Sequence, residues 1–216
     1  MTTHPDPGTR LAGALLLISF VAMVAGAALV APSGLTLNPA DPVAALTAVR
    51  DQVGLHLAEL ALDVVGWLAL TTAGLVVAGG RAGLRGHLAV PAGGLLAAAG
   101  LAGLLHDAGN LAVTRLAADP AHGSAEVALL TAKWGVNLAG LLWVAATVAT
   151  TAALPGPRWL RWAGAAVAGS GLAAVVLPWT TGTAGVSPGL EQLGYALHLP
   201  VMLWYAVLGV RCLRGR

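Results

Sequence analysis

The chain contains 216 residues, of which 57% are hydrophobic and only 9% are charged, and its mean hydropathy is +0.81. Soluble domains carry about 25% charged residues, so this composition excludes a water-soluble protein and indicates an integral membrane protein. The formal net charge of +2 reflects Arg residues at the ends of apolar segments, which is typical of membrane topology rather than of nucleic-acid binding. The single Cys excludes an internal disulfide and a Cys-based zinc or iron–sulfur site.

Six apolar segments are each long enough, at about 20 residues or more, to cross the hydrocarbon core of a bilayer. They show no strand-like alternation, and helices satisfy every backbone hydrogen bond within lipid. We therefore predict an all-α, polytopic membrane helix bundle that forms a single transmembrane domain over residues 1–216. The predicted spans are 11–31, 53–78, 88–113, 125–153, 159–178 and 190–210.

The first span follows Arg10 and could be mistaken for a secretory signal. Its length exceeds the 7–15 residues of a typical signal-peptide apolar region, so we expect an uncleaved helix. After this span, Asp41 and Pro42 form a typical helix start, and apolar residues such as Leu46 and Val49 follow at helical spacing. We expect a short helix on the outer membrane face, which serves either as a surface connector or as a lid over a cavity.

Basic residues are distributed unevenly between the two ends of the spans. Of the 11 Lys and Arg residues, Lys133 lies within a span and only Arg50 and Arg115 lie on one side. The other eight share the opposite side, which the positive-inside rule assigns to the cytoplasm. Both termini are therefore predicted to be cytoplasmic, in a bacterial-type inner membrane. The eight residues are Arg10, Arg81, Arg85, Arg158, Arg161, Arg211, Arg214 and Arg216.

Polar residues concentrate near the outer ends of four spans. In the second span, His56, Glu59 and Asp63 have the spacing of one helical face. At a rise of about 1.5 Å per residue, five of the polar residues lie roughly 9–15 Å below the outer ends of their helices, namely Glu59, Asp63, His106, Lys133 and His198. Intramembrane ionisable groups are costly and normally face a bundle interior or a wet cavity, so we predict a polar cavity on the extracytoplasmic side. The other members of this set are His106, Asp107 and Asn110 in the third span, Lys133, Trp134 and Asn137 in the fourth, and Glu191, Tyr195 and His198 in the sixth.

The charges of this predicted site do not balance. Glu59, Asp63 and Asp107 supply three carboxyl groups, whereas Lys133 is the one obligate cation. A protonated His, a protonated carboxyl group or a bound cation would each restore the balance, and Asp107 and His56 could alternatively reach water at the interface. We expect Lys133 to form a structural ion pair with Glu59 or Asp63, to hold an anionic group or to act in proton transfer.

These residues divide into three sets of candidate roles. Carboxylates and His are the usual acid/base groups, and His with carboxylates can ligate zinc, iron or copper. A divalent metal ion is therefore a candidate cofactor, and a haem held between two His is a less favoured one. The catalytic candidates are Glu59, Asp63, His106, His198 and Lys133; the substrate-binding candidates are Trp134, Asn137, Asn110, Tyr195 and Trp179; the metal-ligand candidates are His56, Glu59, His106 and His198.

Small residues in the third span occur at the spacing of a helix contact. Gly93, Ala97, Gly100 and Gly103 would allow a neighbouring helix to approach closely, as small residues do in membrane bundles. We assign these positions to packing.

Over most of its length the chain resembles an uncharacterised family of bacterial six-helix membrane proteins. The resemblance rests on a first helix led by Arg10, an outer segment rich in Asp, Pro and Ala, and the run 157–160, Pro-Arg-Trp-Leu, which opens the fifth span. It implies the six-helix architecture and no activity.

The sequence leaves three functions open. The first is a membrane enzyme that performs acid/base or metal-assisted chemistry, such as isomerisation, cyclisation or hydrolysis, on a small lipid-soluble substrate. The second is a proton- or cation-coupled carrier of small solutes, which requires access from both sides. The third is an accessory subunit in which polar residues hold helices together. The expected partners are the lipid bilayer, the substrate and, in a homodimer, a second copy of the chain.

The predicted topology can be tested with reporter fusions. A fluorescent protein fused to the C-terminus should fluoresce, whereas alkaline phosphatase at the same position should be inactive because its disulfides form only on the oxidising side of the membrane. The same two reporters inserted after Gly34 should give the reverse result. Active phosphatase at the C-terminus would contradict the predicted orientation.

Overall fold

The computed structural model describes residues 6–80, 84, 87–118 and 122–215, and these form an all-helical bundle with no strand in the described ranges. Short 3-10 segments, Ala31–Ser33 and Leu177–Ala184, extend the first and sixth helices. The predicted all-α fold class is confirmed. The α-helices are α1 (Pro7–Val30), α2 (Pro42–Asp51), α3 (Val53–Ala78), α4 (Ala89–Leu116), α5 (His122–Ala153), α6 (Arg158–Val176) and α7 (Pro188–Arg214).

Six of these helices are long and apolar enough to cross a membrane. Each overlaps one of the predicted spans, so the predicted number of spans is confirmed, and the chain has the architecture of a multi-pass membrane protein. The candidate spans are Pro7–Ser33, Val53–Ala78, Ala89–Leu116, Gly123–Ala153, Arg158–Ala184 and Pro188–Arg214. Of the residues used to predict orientation, Arg81, Arg85 and Arg216 lie outside the described residues.

The six long helices form a closed ring in which each packs against two neighbours, in the order α1, α3, α4, α5, α6, α7 and back to α1. Aromatic rings fill its interior: the centroids of Trp67 and Trp143 are 5.8 Å apart, and those of Trp143 and Tyr205 are 6.0 Å apart. The start of α1 meets the end of α7, because a Cβ on Gly13 would lie 2.7 Å from the carbonyl oxygen of Gly209. Both ends of the described chain therefore lie at one end of the bundle.

The opposite end, where α3, α5 and α7 begin, is called the α2 end because α2 packs there. The predicted short helix is confirmed: Pro42 occupies its first turn, and Asp41 Oδ1 accepts a hydrogen bond from Ala44 N at 2.9 Å, which satisfies a free helix-terminal donor. Leu46 and Val49 are buried in a cluster with residues of α4 and α5. The helix thus covers the ends of two membrane-spanning helices.

Helices α3 and α4 approach each other through the predicted stripe of small residues. A Cβ on Gly100 would lie 2.7 Å from Thr71 N and 2.8 Å from Trp67 O, distances that leave no room for a side chain. The predicted packing role of Gly93 and Gly100 is confirmed, because both positions abut the backbone of α3. Close backbone approach of this kind is a principal source of helix association in lipid.

The close α3/α4 contact predicts a position-specific effect of one added methyl group. A Cβ on Gly93 would lie 2.8 Å from the Cα of Ala78, whereas a Cβ on Gly94 would have nothing within 4 Å. Gly93→Ala should therefore destabilise the bundle by about 1–3 kcal/mol through overpacking. Gly94→Ala, the matched control, should leave stability unchanged or raise it by up to about 1 kcal/mol through helix propensity. Reversible unfolding in mixed detergent micelles measures both, and equal effects would contradict the packing assignment.

Candidate functional site

Two carboxylates and one imidazole meet between α3 and α4 near the α2 end. Asp63 of α3 and His106 and Asp107 of α4 each offer one potential metal-ligand atom, and these atoms all lie within 4.8 Å of one another. Asp107 is buried, and Asp63 and His106 are partly buried. These three residues are called the carboxylate cluster. The structure thus brings together two of the predicted catalytic residues, Asp63 and His106, and adds Asp107.

Asp107 is the unusual member of the carboxylate cluster. Its exposed fraction is 3%, and neither of its carboxylate oxygens has a hydrogen-bond partner in the described residues. Glu59 and Asp63 lie close enough to act on it electrostatically. The alternative in which Asp107 and His56 reach water is wrong, because His56 is fully buried as well. An unpaired buried carboxylate is costly, so Asp107 needs a proton or a cation.

His106 is held in one orientation by two hydrogen bonds. Its Nδ1 lies 2.7 Å from the carbonyl oxygen of Ala132 on α5, and its Nε2 lies 3.1 Å from Nδ2 of Asn110. A carbonyl can only accept, so the ring proton is on Nδ1 and the Nε2 lone pair accepts from the Asn110 amide. The predicted substrate-binding residue Asn110 therefore contacts the imidazole of the cluster.

His56 and Glu59 form an acid–base pair beside the cluster. The Nε2 of His56 lies 3.4 Å from the carbonyl oxygen of Asn110, and its Nδ1 lies 4.0 Å from Oε2 of Glu59. That Nδ1 has no hydrogen-bond partner in the ranges that the structure describes. The two residues thus lie beside Asn110 without being held in a fully satisfied hydrogen-bond network.

Lys133 belongs to a second polar group, which ties α5 to α7 and to the segment before α2. It forms an ion pair with Glu191, and its Nζ lies 5.5 Å from the ring centroid of Tyr195. The Tyr195 hydroxyl donates to Glu191 Oε1 at 2.9 Å, and Asn38 Nδ2 donates to Glu191 Oε2 at 2.8 Å. Every charged atom of this group has a partner, as a structural network requires.

The predicted pairing of Lys133 with Glu59 or Asp63 is wrong. The register of the parallel helices α5 and α7 places Glu191 directly beside Lys133, so the charge of the Lys is matched there. In the described part of the chain, no Lys or Arg forms an ion pair with Glu59, Asp63 or Asp107. The charge imbalance among Glu59, Asp63 and Asp107 is therefore larger than the sequence suggested.

His198 does not join the carboxylate cluster. Its ring packs edge-on against Trp143 at 5.2 Å between centroids, and its Nδ1 would lie 3.9 Å from a Cβ on Gly140. Gly140 follows Lys133 by two helical turns, which corresponds to about 10 Å of depth. The expected common depth therefore fails for His198, because α7 begins about two helical turns deeper in the bundle than α5: Glu191, near the start of α7, already lies beside Lys133. The predicted ligand set of His56, Glu59, His106 and His198 does not come together.

The remaining predicted substrate-binding residues lie around α5. Asn137 donates to the carbonyl oxygen of Val175 and accepts from Trp179 Nε1, both at 2.9 Å, so it fastens the end of α6 to α5. Trp134 and Trp179 are about half exposed, at 47% and 54%. These contacts describe a helix junction, and no described contact connects it to the carboxylate cluster.

Asp107 is the candidate site residue that the sequence interpretation left out of its catalytic and metal sets. The signal was present, because Gly100, Gly103, Asp107 and Asn110 recur at the spacing of one helical face. The first two abut α3, so the packing stripe continues directly into the polar residues. Asn38 carries no comparable signal, since its contact with Glu191 joins segments 153 residues apart.

Two surface grooves in the described residues are apolar. One lies on α1 and α3, beside Ile18 and Leu62, and the other lies on α5 and α6, beside Val148 and Leu172. Neither is lined by Asp107 or its neighbours, so the polar cavity stays a prediction.

Comparison of the chain with protein family models, with curated proteins and with solved structures finds no match. The function of the site is therefore inferred from its own residues.

The Lys133/Glu191 pair predicts a thermodynamic coupling between α5 and α7. Removing one partner of a largely buried ion pair should cost about 3 kcal/mol, so Lys133→Met and Glu191→Gln should each destabilise the bundle. The double variant should lose less than the sum, with a coupling of about 1 kcal/mol or more. Glu126→Gln, at an exposed position on α5, should change stability by less than about 0.5 kcal/mol. Additive effects in the reversible unfolding cycle would contradict the pairing.

Proposed function

We propose that this protein is a membrane enzyme that performs acid/base chemistry on a small lipid-soluble substrate at the carboxylate cluster. The observation that supports the proposal is the buried Asp107 carboxylate, whose oxygens lack hydrogen-bond partners among the described residues while Asp63 and His106 stand beside it. Titratable groups held in costly surroundings are typical of active sites.

A purely structural role accounts less well for this cluster. Polar residues that hold membrane helices together do so through hydrogen bonds, as Lys133, Glu191 and Asn38 do. The oxygens of Asp107 make no such bond within the described ranges. The two polar groups thus differ: the charged atoms of the Lys133 group are satisfied by one another, whereas the Asp107 carboxylate of the cluster has no such partner in the described residues.

Each residue of the carboxylate cluster, and Glu59 beside it, suits a distinct task. Glu59 is partly exposed, at 20% of its side chain, with His56 Nδ1 4.0 Å away, so it can take up or release a proton at a substrate. Asp63 and Asp107 provide the negative field of the site. His106, held by Ala132, presents an imidazole of fixed tautomer. Because Asp63 and His106 are only partly buried, we propose that the substrate arrives sideways from lipid.

A carrier is less favoured by the packing below the cluster. The Trp67 ring abuts Gly103 on α4 and lies edge-on to Trp143, and Thr71 abuts Gly100. A transport path through one chain would have to cross this aromatic layer, whereas an enzyme needs access from one side only. We further propose that the α2 end faces the extracytoplasmic side, following the distribution of Arg residues.

Glu59→Gln and Asp107→Asn should abolish activity without unfolding the protein. A general acid/base group contributes at least about 100-fold to rate, so Glu59→Gln should lose that factor, and Asp107→Asn should lose activity because it removes a carboxylate from the site. The assay incubates proteoliposomes made from a total membrane lipid extract and follows the lipid-soluble compounds over time by mass spectrometry. Asp51→Asn, an exposed carboxylate at the α2 end, is the matched control and should retain activity.

Two outcomes would contradict the enzyme. If an imposed pH gradient drives solute or proton uptake that Asp107→Asn abolishes, with no change in any compound, the protein is a carrier. If neither assay responds and the variants are merely less stable, the cluster holds helices together.

A further inference from the structure

We infer that Asp63, His106 and Asp107 form a binding site for one divalent first-row transition metal ion. The inference concerns metal binding alone and does not require that the protein be an enzyme. The three donor atoms come from two helices and lie within 4.8 Å of one another, a spacing over which small side-chain movements bring them to bonding distances of about 2.0–2.2 Å from one ion.

The second observation is the state of Asp107. Only 3% of its surface is exposed, and both of its carboxylate oxygens are without a hydrogen-bond partner in the described residues. A carboxylate has about four lone-pair sites that accept bonds, and the neighbouring groups of α3 are carboxylates as well. A cation is the partner that such an environment accepts most readily.

The orientation of His106 fits a metal ligand. A ligating imidazole usually donates its other ring N–H to a carbonyl or carboxylate, which fixes the tautomer. Here Nδ1–H donates to the carbonyl oxygen of Ala132 at 2.7 Å, so the lone pair is on Nε2. That lone pair now accepts from the Asn110 amide at 3.1 Å. Metal binding would replace this single hydrogen bond between neutral groups.

The charges and donor types select the class of metal. Two carboxylates, a neutral imidazole and a divalent cation together carry no net charge, which suits a buried site. Lys133 cannot supply that compensation, because it is paired with Glu191. Two oxygen donors and one nitrogen donor suit Mn²⁺, Fe²⁺ or Zn²⁺ better than the softer Cu⁺. Three protein ligands would leave further coordination positions open.

The test uses the full chain, purified in detergent without an affinity tag and stripped with EDTA. Mn²⁺ binding is followed by electron paramagnetic resonance and Zn²⁺ binding by chelator competition, in separate titrations. We expect one equivalent of at least one of these ions per chain. Loss of a residue that only supports a ligand weakens metal binding about 10–100-fold. Asp107→Asn removes a ligand itself, so it should weaken binding by at least this factor. Asp51→Asn should bind as the wild type does.

A spectroscopic readout separates ligation from a general effect on stability. Imidazole nitrogen coupling to bound Mn²⁺ should disappear in His106→Gln, and it should persist in His198→Gln because His198 packs against Trp143 instead. All variants are compared as monodisperse preparations. Should Asp107→Asn fail to fold, Asp63→Asn and His106→Gln carry the same comparison.

The inference is overturned if neither ion binds, or if the variants of the cluster bind as tightly as Asp51→Asn. Metal binding without turnover would support the metal site and contradict the proposed enzymatic function. Turnover by EDTA-stripped protein that binds neither ion would support the proposed enzymatic function and contradict the metal site.

Discussion

The close contact between α3 and α4 determines where the polar residues of this bundle meet. Gly100 and Gly103 press against the backbone and ring of α3 residues, and the same helical face continues into Asp107 and Asn110. Because the two backbones are already close at Gly100, Asp107, two turns farther along α4, lies with a carboxylate oxygen within 4.8 Å of one from Asp63. The packing that stabilises the bundle therefore also creates an expensive concentration of carboxylates.

Two polar groups of the bundle differ in how their buried charged side chains are compensated. Lys133, Glu191, Tyr195 and Asn38 satisfy one another, and they connect α5, α7 and the segment before α2. The carboxylate cluster has no Lys or Arg partner among the described residues, and Asp107 lacks hydrogen bonds there. In a medium without water, the satisfied Lys133 group stabilises the fold, whereas the carboxylate cluster needs a ligand or a proton.

The aromatic side chains inside the bundle form a layer on one side of the carboxylate cluster. Trp67, Trp143 and Tyr205 contact one another at the centre of the ring, and His198 packs on Trp143 from the same layer. The carboxylate cluster lies between this layer and the α2 end, where Leu46 and Val49 of α2 pack against α4 and α5. The cluster thus lies between the aromatic layer and α2 along the bundle axis, which supports the proposal that a small apolar molecule would approach it from lipid.

The sequence alone determined the fold class, the six spans, the start of α2 at Pro42 and the close α3/α4 contact, because these depend on local hydrophobicity, helix-start residues and the spacing of small residues. It also placed Asp63 and His106 near one depth, since each position follows from counting residues along its own helix. Only the tertiary structure decided that Lys133 pairs with Glu191, that His198 lies two turns deeper, and that Asp107 completes the cluster. Those outcomes depend on the register and rotation of one helix against another, which are set by packing between residues distant in the chain and leave no mark in the pattern of any single helix.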